Sequence, residues 1–145
     1  MIALACDHGA FALKEKVKAH LLEQGCKIED FGTHSTESCD YTDFAVCAAN
    51  AVATGACERG IVLCTTGIGM SIAANKVRGI RCALCTDTVM AEMTRRHNDT
   101  NMLALGAGIT GDMAALRIID TWLGTAYEGG RHQRRVDKIM EIEQR

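Results

Sequence analysis

The sequence has no proline, only three phenylalanines, two tyrosines and one tryptophan, and no apolar run longer than a few residues. Each shortage excludes something. A bilayer span needs ~20 consecutive apolar residues, so no membrane partner is expected. The N-terminus has no basic segment leading into a signal-type apolar stretch, which points to a cytoplasmic location. Sixteen basic side chains against 18 acidic ones leave a formal net charge of −2, without the strong positive field of a nucleic-acid binder. No nucleic-acid partner is expected. With proline missing, the 14 glycines must supply most of the punctuation between elements.

What is present describes a globular domain of ordinary size. The 145 residues, 48% hydrophobic and 23% charged, suit a single domain, 1–145, that buries a core without disulfides or structural metal. The eight cysteines are scattered through apolar segments, and most read as buried thiols in a reducing compartment. Cys82 and Cys85 form a C-x-x-C inside the apolar run 80–85. In a strand, residues three apart point to opposite faces, so the pair cannot share a metal or a disulfide without distortion. No set of His, Cys and carboxylates has the spacing of a metal site, and neither metal nor cofactor is expected.

Five short β-like runs, 2–6, 26–31, 61–64, 80–85 and 101–105, are each followed by a helical stretch. Between the first two, Ala10, Leu13, Val17 and Leu21 follow a helical period, with Lys14, Lys16 and Lys18 expected in solvent and Gly25 as terminator. Further helices are expected over 43–54, 70–76, 88–96, 112–123 and 131–143. Such alternation specifies an α/β three-layer (αβα) domain, Rossmann-like or flavodoxin-like, with a five-stranded parallel sheet and a C-terminal helix.

Ligands in such sheets sit outside the carboxyl ends of the strands. Asp7-His8-Gly9 follows the first run, 32–41 the second, and Cys64-Thr65-Thr66-Gly67-Ile68-Gly69-Met70-Ser71 the third. The last of these loops opens a helix and exposes several backbone N–H groups to one point, which suits an anion. Its pattern lacks the third glycine of a dinucleotide fingerprint and the Gly-Lys-Ser/Thr of a Walker loop. A thiol at Cys64 would lie near that helix start, where a thiolate is favoured, and could act as base or nucleophile. The alternative is a strand-end core thiol. His97 and Asn98 end the fourth helix, at the sheet edge opposite the crevice. Either they close a helix at the surface, or they reach into a neighbouring subunit's site. Arg131 and Arg135, four apart on one helical face, could grip a phosphate together, or simply belong to a solvated basic face. His20 and His34 carry no signal.

Taken in order, Asp7-His8-Gly9, Asp40-Tyr41, the 64–71 loop leading into Ile72-Ala73-Ala74-Asn75-Lys76, Arg96-His97-Asn98-Asp99 and Gly129-Gly130-Arg131-His132 with Arg135 resemble the type B ribose-5-phosphate isomerase family. That family also contains allose-6-phosphate isomerases and galactose-6-phosphate isomerase subunits. The resemblance implies a phosphorylated-sugar substrate and a homodimer or dimer of dimers with sites at the subunit interface. It assigns the enediolate-forming base to Cys64, since Ser71 stands where another branch carries a glutamate base. It also makes His97 the ring-opening acid/base, and has Thr66 move the proton between sugar oxygens. The amides of Gly67, Ile68, Gly69, Met70 and Ser71 become the anion hole. Asp7, Tyr41 and Asn98 bind the sugar, while His8, Arg131 and Arg135 hold the phosphate. Two departures stand out: Thr65 where the family usually has glycine, and Thr42, read as a helix cap, where it commonly has proline. Fold alone does not fix function, so a non-catalytic phospho-ligand binding module on the same sheet is the different-class alternative.

Overall fold

The computed structural model describes all 145 residues. Strands β1 (Ile2–Cys6), β2 (Ile28–Asp30), β3 (Arg59–Cys64), β4 (Cys82–Leu84) and β5 (Met102–Gly106) form one parallel sheet in the order β2-β1-β3-β5-β4. Helices α1 (Phe11–Glu23), α2 (Tyr41–Ala53), α3 (Ile68–Asn75), α4 (Thr88–Asn98), α5 (Asp112–Gly124) and α6 (Arg131–Glu141) alternate with and follow the strands, and a short 3-10 turn, His8–Ala10, precedes α1. No helix is long and apolar enough to cross a membrane.

The strand order follows from composition. Every residue of β5 is buried, so it lies inside the sheet between β3 and β4, whereas β4 is half-exposed along its length and forms an edge. This places β5 where a flavodoxin-like 2-1-3-4-5 order has the fourth strand. Strand alternation divides the core into two layers. Ile2, Leu4, Ile61, Leu63, Leu103 and Leu105 face α1 and α5, where Trp122, Ile118 and Val17 are buried. Ala3, Ala5, Val62 and Ala104 face α2 and α3, whose buried side chains are mostly alanines. Cys85 belongs to the first layer and Cys82 packs against the second, and both are free thiols, as their three-residue spacing demands.

Several boundaries differ from expectation. The strand expected over 26–31 pairs only at Ile28–Asp30, and that expected over 80–85 only at Cys82–Leu84. Thr42 is not a cap: α2 starts two residues earlier than expected, at Tyr41, with Asp40 at the N-cap. Lys14 is not solvated at all. It is fully buried, its Nζ donating to Asp30 Oδ1 at 2.8 Å, Asp30 Oδ2 at 2.9 Å and the Thr33 carbonyl at 2.6 Å. Lys18 adds a bond to the same carboxylate at 3.1 Å. Burial alone would raise the Asp30 carboxyl. The bonds from Lys14, the Gly32 amide and Lys18 outweigh it and hold the group below the usual carboxylate range. This ion pair fixes the chain leaving β2 toward Tyr41.

Candidate active site

The carboxyl ends of β1 and β3 open into a cavity of about 420 Å³ lined by Asp7, Tyr41, Cys64, Thr65, Thr66, Ile68, Gly69 and Ile72. Cys64 ends β3 and is 5% exposed. The chain then turns sharply through Gly67, at φ +77°, into α3. Glycine is required there twice over, because an added Cβ would also lie 2.6 Å from Leu84 Cδ1 and 2.8 Å from the Leu105 carbonyl carbon. The turn brings the Gly67 amide back onto the sulfur: it donates to Cys64 Sγ at 3.0 Å.

Thr66 Oγ1 accepts from the Ile68 amide at 3.2 Å, which leaves its own hydroxyl proton free to donate. Ser71 Oγ donates to the Ile68 carbonyl at 2.7 Å, and its amide donates to the Gly67 carbonyl at 3.0 Å. Three of the five amides in 67–71 are therefore engaged within the loop. Those of Gly69 and Met70 remain open at the positive end of α3. Met70's side chain is buried in the core, so only its backbone is available. Gly69 accommodates the Tyr41 ring, whose Cζ would stand 2.6 Å from a Cβ there.

Asp7 is buried and caps the 3-10 turn, its Oδ1 accepting from the Gly9 amide at 2.9 Å. His8 Nδ1 accepts from the Cys39 amide at 3.2 Å, so the proton of the neutral imidazole is on Nε2, ready to donate. Thr65 is seated between two glycines. A Cβ at Gly9 would come within 2.3 Å of its Oγ1, and one at Gly108 within 3.0 Å of its Cγ2.

Of the other seven thiols, Cys6, Cys57 and Cys85 are buried, Cys26, Cys39 and Cys82 half-buried and Cys47 exposed, so only half of the eight are buried as expected. Burial pushes Cys6 and Cys82 up to about 12 and Cys85 to about 11, and burial with the neighbouring Glu29 raises Cys57. These are neutral core groups.

His97, Asn98, Arg131 and Arg135 are elsewhere. Cys64 pairs with Gly106 at the carboxyl end of the sheet, and Gly60 with Met102 at the amino end, just beyond the close of α4. That separates the two groups by about 13 Å along four residues of strand. His97 and Asn98 end α4, and Arg131 begins α6, which packs beside it. The His97 ring stacks on His132 at 4.3 Å between centroids and 12° between planes. Arg131 and Arg135 are exposed and have no ion pair within the chain. His132 belongs to the Gly129-Gly130-Arg131-His132 motif but was given no role from the sequence, and its neighbour Glu128 was not singled out.

His97, Glu128 and His132 present three ligand-type atoms within 4.8 Å of one another. They do not suit a metal. With the rings stacked, an ion in the plane of one imidazole lies well out of the plane of the other, and Glu128 is occupied by Arg96. That bond from Arg96 is the main cause holding the Glu128 carboxyl below its usual range.

A family profile described as ribose/galactose isomerase matches residues 2–139. Ribose-5-phosphate isomerase B of Escherichia coli (strain K12) is 51% identical over 144 residues, 99% of this chain and 97% of that protein. D-erythrulose-4-phosphate isomerase of Pectobacterium atrosepticum is 42% identical over 139 residues, 95% of this chain and 91% of the relative. The solved structure of Clostridium thermocellum ribose-5-phosphate isomerase B superposes with a TM-score of 0.98 at 53% identity, covering 99% of this chain and 97% of its own.

Proposed function

The chain belongs to the ribose/galactose isomerase family, and from that premise we propose that this sugar-phosphate isomerase interconverts ribose 5-phosphate and ribulose 5-phosphate through an enediolate, with Cys64 as the base. The observation that carries the reading is the Gly67 amide on Cys64 Sγ, at the start of a helix whose next amides are open donors. The sulfur is thus held at the mouth of the same loop whose open amides would receive the substrate's negative charge.

The chemistry divides among the residues as follows. His97 opens the furanose: a proton leaves the C1 hydroxyl, the C1–O4 bond breaks to give the C1 aldehyde, and O4 takes a proton. Cys64 removes the C2 proton, and the electron pair moves through C1 onto O1. The Gly69 and Met70 amides stabilise that oxyanion. Thr66, its hydroxyl proton free, relays the proton from O2 to O1. Cys64 then delivers its proton to C1, leaving the ketone at C2. Asp7, Tyr41 and Asn98 orient the sugar hydroxyls, while His8 Nε2–H, Arg131 and Arg135 hold the phosphate. No step requires a metal or an organic cofactor.

One chain holds the base and the anion hole at one end of the sheet and the ring-opening imidazole and arginines at the other. We therefore infer a homodimer, alone or paired into a dimer of dimers, in which each site combines the Cys64 half of one subunit with the His97 half of its partner. The exposed Ile68 and Ile72 beside the cavity are apolar surface available for that contact. The eight free thiols fit a reducing cytoplasm. The test is isomerisation of ribose 5-phosphate with a chelator present. Turnover that survives chelation and disappears in Cys64→Ala supports this reading; a folded dimer without turnover overturns it.

A further inference from the structure

His97 is an unusual candidate for an acid/base because neither ring nitrogen has a hydrogen-bond partner within the chain. Catalytic imidazoles are ordinarily held by a bond to the nitrogen that does not react. Here the only feature fixing the ring is its face, which lies flat on His132. His132 is in turn enclosed. It is 8% exposed, is the second residue of α6, and its Nε2 meets Glu128 Oε2 at 3.2 Å. Glu128 Oε1 accepts from Arg96 Nε, and the Glu128 amide donates to the Arg96 carbonyl at 3.1 Å. Arg96 precedes His97 in α4 and is also tied to Glu92 through Nη1 at 2.9 Å. The chain of contacts thus leaves α4 at Arg96, passes through Glu128 and His132, and returns to α4 at the ring of His97.

We propose that His132 is a positioning residue for ring opening, supporting the His97 imidazole by stacking, and that Glu128 fixes His132 in that role. This rests on the assignment of ring opening to His97. His132 is not itself a second acid: it has almost no exposed surface, and its Nε2 faces Glu128 Oε2. The stack fits the task. It restrains tilt while leaving the edge of His97 free, so that one ring nitrogen takes the proton from O1 and then passes it to the neighbouring O4. A ring displaced by about 1 Å from its productive pose costs on the order of 100-fold in rate.

A purely structural clamp between α4 and α6 would also explain these contacts, so the experiment separates ring opening from the rest of the site. In the full-length protein, kcat on ribose 5-phosphate, a furanose, is compared with the inhibition constant of an acyclic phosphorylated four-carbon hydroxamate. That compound copies the planar enediolate and has no ring to open. His132→Ala is expected to lower kcat at least ~10-fold while the inhibition constant stays within about twofold. His132→Phe, which keeps a flat partner, should recover most of the loss. Glu128→Gln, an exposed and conservative change, should lower kcat by a smaller factor with inhibition unchanged. If kcat and inhibition weaken together in His132→Phe and Glu128→Gln, or if kcat is unchanged in His132→Ala, the proposal is wrong. A wild-type chain that neither turns over ribose 5-phosphate nor binds the hydroxamate would instead remove the isomerase reading itself.

Discussion

The Gly67 amide points at Cys64 Sγ from 3.0 Å, three residues after it in the chain and two before the first open amide of α3, that of Gly69. An enolisation needs a base at the carbon acid and donors at the developing oxyanion, and a single left-handed glycine sets the spacing between the sulfur and the open amides.

Gly67→Ala is therefore expected to damage stability and chemistry together. The positive φ and the contacts at 2.6 and 2.8 Å force the loop to shift, at a cost of about 1–3 kcal/mol. Urea denaturation measures the first effect and kcat the second. A variant as stable and as active as the parent would show that the turn does not organise the site.

The fit of Thr65 between Gly9 and Gly108 predicts a coupled pair. Gly9→Ala alone should be destabilising, because its Cβ would lie 2.3 Å from Thr65 Oγ1. Added to Thr65→Gly, the same change should cost far less, with a coupling of about 1 kcal/mol or more in a double-mutant cycle. Additive effects would mean that the chain relaxes around the clash by another route.

Lys14→Ala leaves the Asp30 carboxylate buried with only Lys18 and the Gly32 amide as partners, and should cost about 3–5 kcal/mol at pH 7. Because the pairing holds Asp30 below its usual range, its contribution is fully present above the unfolded Asp value of ~3.9 and is lost as pH falls through the lower folded value. The penalty of Lys14→Ala should shrink on acidification, since a protonated Asp30 needs no cation. A penalty independent of pH would assign the effect to lost packing against Phe11 instead.

A shared site makes a complementation prediction. Cys64→Ala and His97→Ala homodimers should each be impaired, and mixing them with subunit exchange should restore activity. A random mixture holds half its dimers as hybrids, each with one intact site. No recovery, with exchange demonstrated by native mass spectrometry, would confine the chemistry to single chains.

The parts legible in the sequence were those tied to chain order. Asp7, Cys64 and the 65–71 loop follow strand ends, and parallel sheets put ligands there. The distance of His97 from Cys64 was also readable, because a residue that ends a helix before a strand lies at the opposite sheet edge. What was not legible depended on which elements meet. Nothing in the pattern brings α4 beside α6, so the His97–His132 stack was invisible, and so was the insertion of β5 between β3 and β4. Lys14 is instructive for the opposite reason. Positions 10, 13, 14, 17 and 21 form one helical stripe, so the spacing pointed inward while the residue type pointed outward. Asp30, distant in sequence, decided it.

The most direct test of the account is the rate of ribose 5-phosphate isomerisation by Cys64→Ala, measured beside its affinity for the acyclic hydroxamate. Loss of turnover by a factor of ~1,000 or more, with the hydroxamate still bound, is the predicted result and places Cys64 in the proton transfer. Turnover within tenfold of wild type would contradict it and move the base to another residue of the cavity.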